Sequence, residues 1–132
     1  MPEIKEIILR PPRAAAALEA LEALDDTIHQ KARLGIMSAL LAYGEADFRL
    51  LKEALSLSDG NLSAHLAVLE ERGYLEAKKE FVRRKPHTTY TPTEAGRAEF
   101  QKYLLALERI VKAADLPLPV LKMESENTEE AR

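Results

Sequence analysis

Apolar residues recur at three- and four-residue intervals through the first part of the chain, a pattern typical of helices with one buried face. The first series follows Pro11 and Pro12, and proline is common at a helix start, so we expect a helix from about Pro12 to Leu24. Its apolar stripe consists of Ala14, Ala17, Leu18, Leu21 and Leu24.

A second apolar series predicts a helix that ends at Gly44 and begins after a cap at Asp25, Asp26 or Thr27. Its buried face is predicted to contain Ile28, Ala32, Ile36, Ala39, Leu40 and Tyr43. After a short extended piece around Phe48, the segment RLLKEALSL predicts a brief helix. The inward residues of this brief helix are predicted to be Leu51, Ala54 and Leu55.

A tight turn at residues 58–60 is predicted to lead into a further helix, for which Ser58 or Asp59 is a suitable cap. In that helix Leu62, Leu66 and Leu69 form a buried stripe, which forces the opposite face outward. The outward residues near its start are small or polar, namely Asn61, Ser63, Ala64 and His65. Side chains of this kind can approach the groove of a duplex without steric obstruction.

Gly73 ends this helix, and the pattern then changes to the alternation of a β-hairpin. In YLEAKKEFV the inward residues are predicted to be Leu75, Ala77 and Phe81, with Lys79 as the exception. VRRKPHT predicts a polar turn, and TTYT predicts a second strand with Tyr90 in the core.

A long last helix is predicted to start at Thr91 or Thr93, just before Glu94, and to continue to Ala114. Its apolar face is predicted to contain Phe100, Tyr103, Leu104, Leu107 and Val111.

This order of elements predicts a mainly α protein with a β-hairpin wing (α+β), that is, a winged helix-turn-helix with additional N- and C-terminal helices. We expect an N-terminal extension and helix in residues 1–24, and a winged-helix DNA-binding domain with its long C-terminal helix in residues 25–114. Residues 115–132 contain two prolines followed by acidic residues, which predicts a flexible acidic tail.

The composition limits the classes of protein to which this chain can belong. A chain of 132 residues with 46% apolar content suits one core, and the absence of cysteine excludes disulfides and thiolate zinc sites. No apolar run approaches the roughly 20 residues that span a bilayer, and the N-terminus does not look like a signal peptide. We therefore expect a cytoplasmic protein without membrane association.

The net charge is −3, but the positive charge is concentrated in the predicted hairpin. Residues 78–90 contain five basic side chains against Glu80 alone, and these are Lys78, Lys79, Arg83, Arg84 and Lys85. A local cationic loop can contact phosphates while the acidic remainder keeps non-specific affinity low. The alternative is a solvated hairpin edge that lysines and arginines protect against aggregation.

Catalytic and metal-binding chemistry has little support in the sequence. His29, His65 and His87 are not spaced to share a metal ion, the serines lack the context of a nucleophile, and no glycine-rich phosphate loop is present. We expect no enzyme activity, no metal and no cofactor.

The strings LSDGNLSAHLAVLEERGYLEAKKEF, RRKPHTTY and TPTEAGRAEF resemble the small winged-helix transcriptional regulators related to the MarR and ArsR families, over about residues 25–112. The resemblance implies that the helix from Leu62 to Arg72 enters the major groove and that the loop from Arg83 to His87 contacts the backbone or minor groove. ArsR-type metal sensors generally use cysteine or histidine clusters, so no metal effector is implied, and no small-molecule effector is identified. The candidate DNA-binding residues are Ser58, Asn61, Ser63, Ala64, His65, Arg83, Arg84, Lys85, His87 and Thr88.

Together these features predict a sequence-specific regulator of transcription, a repressor, that binds double-stranded DNA. The apolar faces of the two terminal helices predict a homodimer. Two alternatives remain open at this point. Both terminal helices can instead fold over their own domain in a monomer, and the same outward faces can serve as a protein-interaction module without DNA binding.

Overall fold

The computed structural model describes residues 12–115, and within them the predicted fold class is confirmed. The predicted extension before Pro12 and most of the predicted acidic tail lie outside the described residues. The helices are α1 (Pro12–Glu22), α2 (Lys31–Tyr43), α3 (Phe48–Leu55), α4 (Asp59–Glu71) and α5 (Glu94–Ala114). The strands are β1 (Ala46–Asp47), β2 (Leu75–Val82) and β3 (Lys85–Pro92). None of the helices in residues 12–115 has the length and apolar character needed to cross a membrane.

The sheet is antiparallel and has β3 at its centre, in the order β1-β3-β2. In the hairpin Ala77 pairs with Tyr90 and Phe81 pairs with Pro86, and on the other edge of β3 Ala46 also pairs with Tyr90. Since directly opposed residues share a face, the face that buries Leu75 at the base of the hairpin continues to Phe81 near its tip.

The core lies where α2, α3, α4, α5 and the base of the hairpin meet. The predicted leucine stripe of α4 is confirmed, because Leu62, Leu66 and Leu69 are all buried. The other large apolar side chains that are fully or almost fully buried are Ile28, Ile36, Met37, Leu40, Leu51, Leu75 and Tyr103. This packing fixes which side of α4 faces away from the protein.

Several predicted boundaries were wrong because side chains cap the helices elsewhere. Gln30, not residues 25–27, caps α2 by accepting a hydrogen bond from Arg33 N at 2.8 Å. The turn before α4 lies at Ser56 and Leu57, where Ser56 is left-handed, and not at residues 58–60 as predicted. Ser58, one of the two predicted caps, is the N-cap, so that Asp59 and Gly60 are already helical. Of the two predicted starts of α5, Thr91 and Thr93, the structure has Thr93 as the N-cap.

Two aromatic residues predicted to face inward are exposed because their elements extend past the core. Phe81 is 78% exposed on the outer half of β2, where the alternation continues but nothing in residues 12–115 covers the side chain. Tyr43 is 66% exposed as the last residue of α2, beyond the buried Leu40. The sequence period therefore continues in both places after burial has ended.

Two further residues predicted to face inward are exposed because the buried face of their helix lies elsewhere. Ala54 is exposed on α3, where Leu51 and Leu55 provide the packing. Leu104 is exposed on α5, whose buried face is centred on Phe100, Tyr103 and Ala106.

A corner at Gly73 and Tyr74 joins α4, β2, α5 and the connection between α1 and α2. Thr93 N donates to Tyr74 O at 3.1 Å, and Thr93 Oγ1 donates to Gly73 O at 2.5 Å. The Tyr74 hydroxyl donates to Asp25 Oδ2 at 2.5 Å. The first turn of α5 lies so close that a side-chain carbon on Gly96 would overlap the Tyr74 carbonyl group.

We expect Gly96→Ala to lower the free energy of unfolding by about 1–3 kcal/mol, because backbone on both sides leaves no space for a methyl group. The matched control is Gly60→Ala, since Gly60 is also in the first turn of a helix but has open space around it. That variant is expected to gain about 0.5–1 kcal/mol. Urea denaturation of both variants measures the difference, and an equal effect of the two substitutions would contradict the close approach.

Candidate nucleic-acid interface

The start of α4 presents a patch of side chains that are small or polar, here called the helix patch: Ser58, Asn61, Ser63 and Ala64, all exposed. Ser58 Oγ accepts a hydrogen bond from Asn61 N at 3.2 Å, which begins the helix in this register. Because the leucine stripe faces the core, the helix patch faces away from it, as predicted.

The negative charge of Asp59 at the start of α4 is offset by a lysine on α3. Lys52 Nζ lies 2.8 Å from Asp59 Oδ1, and both side chains are well exposed. Such a pair contributes little to stability, but it places a cation beside the only carboxylate in the first turn of α4. Because Lys52 offsets the charge of Asp59, an anion can still approach the free backbone amides at the start of α4.

His65 differs from the rest of the predicted outward set because it is half-buried and bonded. Its Nδ1 atom lies 3.2 Å from Nη1 of Arg33 on α2. Burial, and then the nearby guanidinium, hold the pKa of His65 below its usual value, so the ring is neutral near pH 7. Arg33 was not among the predicted site residues, since no local pattern indicates a contact between residues so far apart in the sequence.

A cavity of about 560 Å³ opens beside the helix patch, between α2 and the turn that connects α3 with α4. Asn61 and His65 form one of its walls. Its other lining residues are mainly apolar or small, and they are Gln30, Lys31, Ala32, Gly35, Leu55, Ser56 and Leu57. The surface at the start of α4 is therefore concave on the side of His65.

The hairpin closes through a two-residue turn in which both Arg83 (φ 54°) and Arg84 (φ 67°) are left-handed. Consecutive left-handed residues form the type of turn that matches the right-handed twist of the strands, although this backbone normally favours glycine or asparagine. Both arginines and the following Lys85 are exposed. These three residues, here called the wing tip, form a cationic end on the hairpin.

His87 and Thr88 do not belong to the turn, contrary to the prediction of a polar loop through VRRKPHT. Both are half-buried in β3 and, as successive residues of a strand, lie on opposite faces of the sheet. His87 Nε2 lies 3.9 Å from Oδ2 of Asp47, whose other carboxylate oxygen caps α3 by accepting from Leu50 N at 2.7 Å. His87 is thus directed toward the sheet edge and α3.

The ten predicted site residues therefore separate into the exposed helix patch, the exposed wing tip, and three half-buried residues, which are His65, His87 and Thr88. Their roles in DNA binding stay predictions. Among residues 12–115 no three histidine, aspartate or glutamate side chains are grouped so that they could hold a metal ion.

Comparison with known proteins places this arrangement in a family. The family described as winged helix DNA-binding domain matches residues 32–111. An uncharacterized protein of Methanocaldococcus jannaschii is 36% identical over 80 residues, which cover 61% of this chain and 87% of that protein.

Solved structures show the same fold. A transcriptional regulator homologue from Pyrococcus horikoshii is 29% identical, with a TM-score of 0.68, over 77% of this chain and 99% of its own. BpsR of Bordetella bronchiseptica is 16% identical with a TM-score of 0.60, covers 98% of this chain and 100% of its own, and resembles it in fold alone.

We expect the double variant Arg83→Asn/Arg84→Gly to raise the free energy of unfolding by about 1 kcal/mol, because asparagine and glycine adopt the left-handed backbone more readily than arginine. The control Arg83→Val/Arg84→Val removes the same charges and disfavours that backbone, so its stability should fall. Urea denaturation of the two variants measures the turn without any DNA. Equal stabilities would show that the left-handed turn is not formed.

Proposed function

This chain belongs to the family of winged helix DNA-binding domains, and from that premise we propose that it is a transcriptional regulator that binds specific double-stranded DNA sequences as a homodimer and represses transcription. The observation that carries the proposal is the helix patch, an exposed polar surface at the start of a helix whose opposite side is buried. A DNA partner implies that the protein acts in the cytoplasm.

The helix patch supplies the groups that distinguish base pairs in the major groove. The Asn61 carboxamide can donate to N7 and accept from N6 of one adenine, and the Ser63 hydroxyl can donate or accept. Ala64 is small enough to let the helix approach the bases. These side chains carry the sequence information in the proposed complex.

The wing tip and the start of α4 supply contacts that do not depend on sequence. Three adjacent cations on a hairpin end suit the phosphate backbone on either side of a groove. The free amides in the first turn of α4 suit a phosphate oxygen as well, since Lys52 offsets the Asp59 carboxylate. These groups hold the protein in register while α4 contacts the bases.

The terminal helices suit a dimer. In the described residues α1 already packs along α5 of its own chain, where Arg109 Nη2 lies 3.9 Å from Glu19 Oε2. This packing still leaves apolar side chains exposed, and they are Leu18 and Leu21 on α1 and Leu104 and Leu105 on α5. A second copy would cover them, and a twofold axis would place two α4 helices about 34 Å apart on a pseudo-palindromic operator.

Asn61→Ala should relax specificity at one position of each half-site by about 1–3 kcal/mol, because the proposed pair with adenine no longer forms there. Affinities for an operator, selected from genomic fragments, and for its single-base variants measure the change. Glu71→Ala, at the far end of the same helix, is the control and should leave base preference unchanged. An affinity of Asn61→Ala that falls equally on all sequences would contradict base recognition.

Arg83→Asn/Arg84→Gly should weaken binding to all duplexes alike, because it removes two cations while retaining the turn. The slope of log K against log salt concentration should become shallower by about 0.9 for each phosphate that the variant no longer neutralises. Arg97→Ala/Lys102→Ala removes the same charge from α5 and should leave the slope unchanged. An unchanged slope for the wing variant would remove the wing tip from the interface.

Leu104→Glu/Leu105→Glu should convert a dimer into a monomer, since two carboxylates cannot be buried in an apolar interface without a large desolvation cost. Sedimentation equilibrium measures the mass, with Leu50→Glu on α3 as a control that should remain dimeric. A wild-type species of 14.8 kDa at micromolar concentration would end the dimer proposal.

The competing function is a winged-helix domain for protein contacts, which the net charge of −3 favours. Salt-sensitive retention of the purified protein on heparin and on calf-thymus DNA supports DNA binding. Absence of any DNA affinity, together with co-purification of a protein partner, would support the competing function instead.

A further inference from the structure

The contact between Arg33 and His65 restricts the protonation of the histidine ring. A guanidinium group can only donate hydrogen bonds, so the Nδ1 atom that lies 3.2 Å from Arg33 Nη1 has to act as the acceptor. A neutral imidazole that accepts at Nδ1 carries its proton at Nε2. The pairing therefore selects one of the two neutral tautomers.

Arg33 is itself held in place from the other side. Its Nε atom donates to Thr27 O at 2.6 Å, and its backbone N donates to Gln30 Oε1 at 2.8 Å. The Thr27 residue is 6% exposed, so the carbonyl that anchors the guanidinium belongs to a buried part of the α1–α2 connection. Arg33 thus links the α1–α2 connection to α4, because its guanidinium contacts both Thr27 O and His65 Nδ1.

The protonated nitrogen of His65 is not fully buried. In the part of the chain that the structure describes, no buried side-chain nitrogen or oxygen lacks a hydrogen-bond partner. The hydrogen bond of His65 is made at Nδ1, so Nε2 has to be accessible to solvent. His65 lines the cavity next to Asn61, one helical turn away on the same side of α4.

We propose that Arg33 is a positioning residue that holds His65 as the Nε2–H tautomer, so that α4 presents a neutral donor to the N7 atom of a purine in the major groove. This inference rests on the proposed function and deepens it. N7 is an acceptor on both adenine and guanine, so the contact distinguishes a purine from a pyrimidine at one position, next to the base that Asn61 contacts.

The electrostatic surroundings support a neutral ring. Arg33 and Lys31 on α2 are the charged side chains that share this region with His65, and both are cationic. The wall that α3 and its following turn contribute consists of Leu55, Ser56 and Leu57 and has no titratable group. Burial and Arg33 both hold the pKa of His65 below its usual value. Protonation of the ring would place a second positive charge beside Arg33 and would replace the acceptor at Nδ1 with a second donor.

The first experiment tests the tautomer without DNA. Nitrogen-15 spectra of the imidazole ring should show the proton on Nε2 in the wild-type protein, and the pKa of His65 should rise toward its usual value in Arg33→Met. Arg97→Met, which removes one cation from α5, should change neither. A wild-type ring with the proton on Nδ1, or an unchanged ring in Arg33→Met, would overturn the positioning role.

The second experiment tests the contact on a duplex selected by the wild-type protein. Replacing each purine in turn with its 7-deaza analogue should reveal one purine per half-site where wild-type affinity falls by about three- to tenfold, the effect of one hydrogen bond. His65→Ala should be insensitive to that replacement, whereas His65→Gln, which keeps a donor near Nε2, should remain sensitive. If affinity falls when a phosphate is replaced by a methylphosphonate, and not when a purine is replaced by its 7-deaza analogue, His65 contacts a phosphate and the proposal is overturned.

Arg33→Met should lose the same discrimination as His65→Ala, and the double variant should lose no more than either, because the two residues act through one hydrogen bond. If Arg33→Met does not fold, Arg33→Lys serves, since an ammonium group cannot bond Thr27 O and His65 Nδ1 with the same planar geometry. Additive effects would overturn the link between the two residues. Failure of the wild-type protein to select any duplex would instead reject the proposed function, and the ring spectra would still decide the tautomer.

Discussion

The close approach of α5 to the backbone at Tyr74 is the constraint on which the rest of the structure depends. A helix can lie this near a carbonyl group only where it has no side chain, and Gly96 meets that condition. The Thr93 hydroxyl serves two purposes there, since it caps α5 by accepting from Gly96 N at 3.0 Å and donates to Gly73 O. The end of α4, the start of β2 and the start of α5 are thereby fixed at a single point.

This corner sets the relation between the two parts of the candidate interface. The helix patch lies at the start of α4 and the wing tip at the far end of the hairpin, and the corner is where α4 passes into β2. Tyr74 extends the connection to the α1–α2 region through Asp25. Burial raises the pKa of Asp25, but the Tyr74 hydrogen bond and backbone donors outweigh it, so the pKa is lowered and the carboxylate stays charged. The anchor of Arg33 at Thr27 belongs to the same connection, so α4 is held at its C-terminal end by the corner and near its middle by the contact of Arg33 with His65.

The fold could be predicted from the sequence wherever burial follows a local period. The leucines of α4, the apolar residues of α2 and the change to alternation after Gly73 identified the elements and their order. The period could not show where the core ends, which is why Phe81 was placed inside although it lies beyond the last covering layer. Helix starts were missed where a less common cap such as Gln30 was used. Contacts between residues that are far apart in the sequence leave no local pattern, and the contact of Arg33 with His65 is an example. His65 was therefore predicted as a site residue, whereas Arg33, which binds it, was not.

The left-handed turn at Arg83 and Arg84 has a consequence for how the protein can be observed. Two adjacent arginines on an exposed loop are the substrate that a trypsin-like protease prefers, and a two-residue connection at a hairpin end is accessible in a way that helical arginines are not. Any molecule that covers the end of the hairpin would shield the bonds that follow Arg83 and Arg84 from cleavage. The rate of cleavage at these two bonds therefore reports whether that surface is occupied.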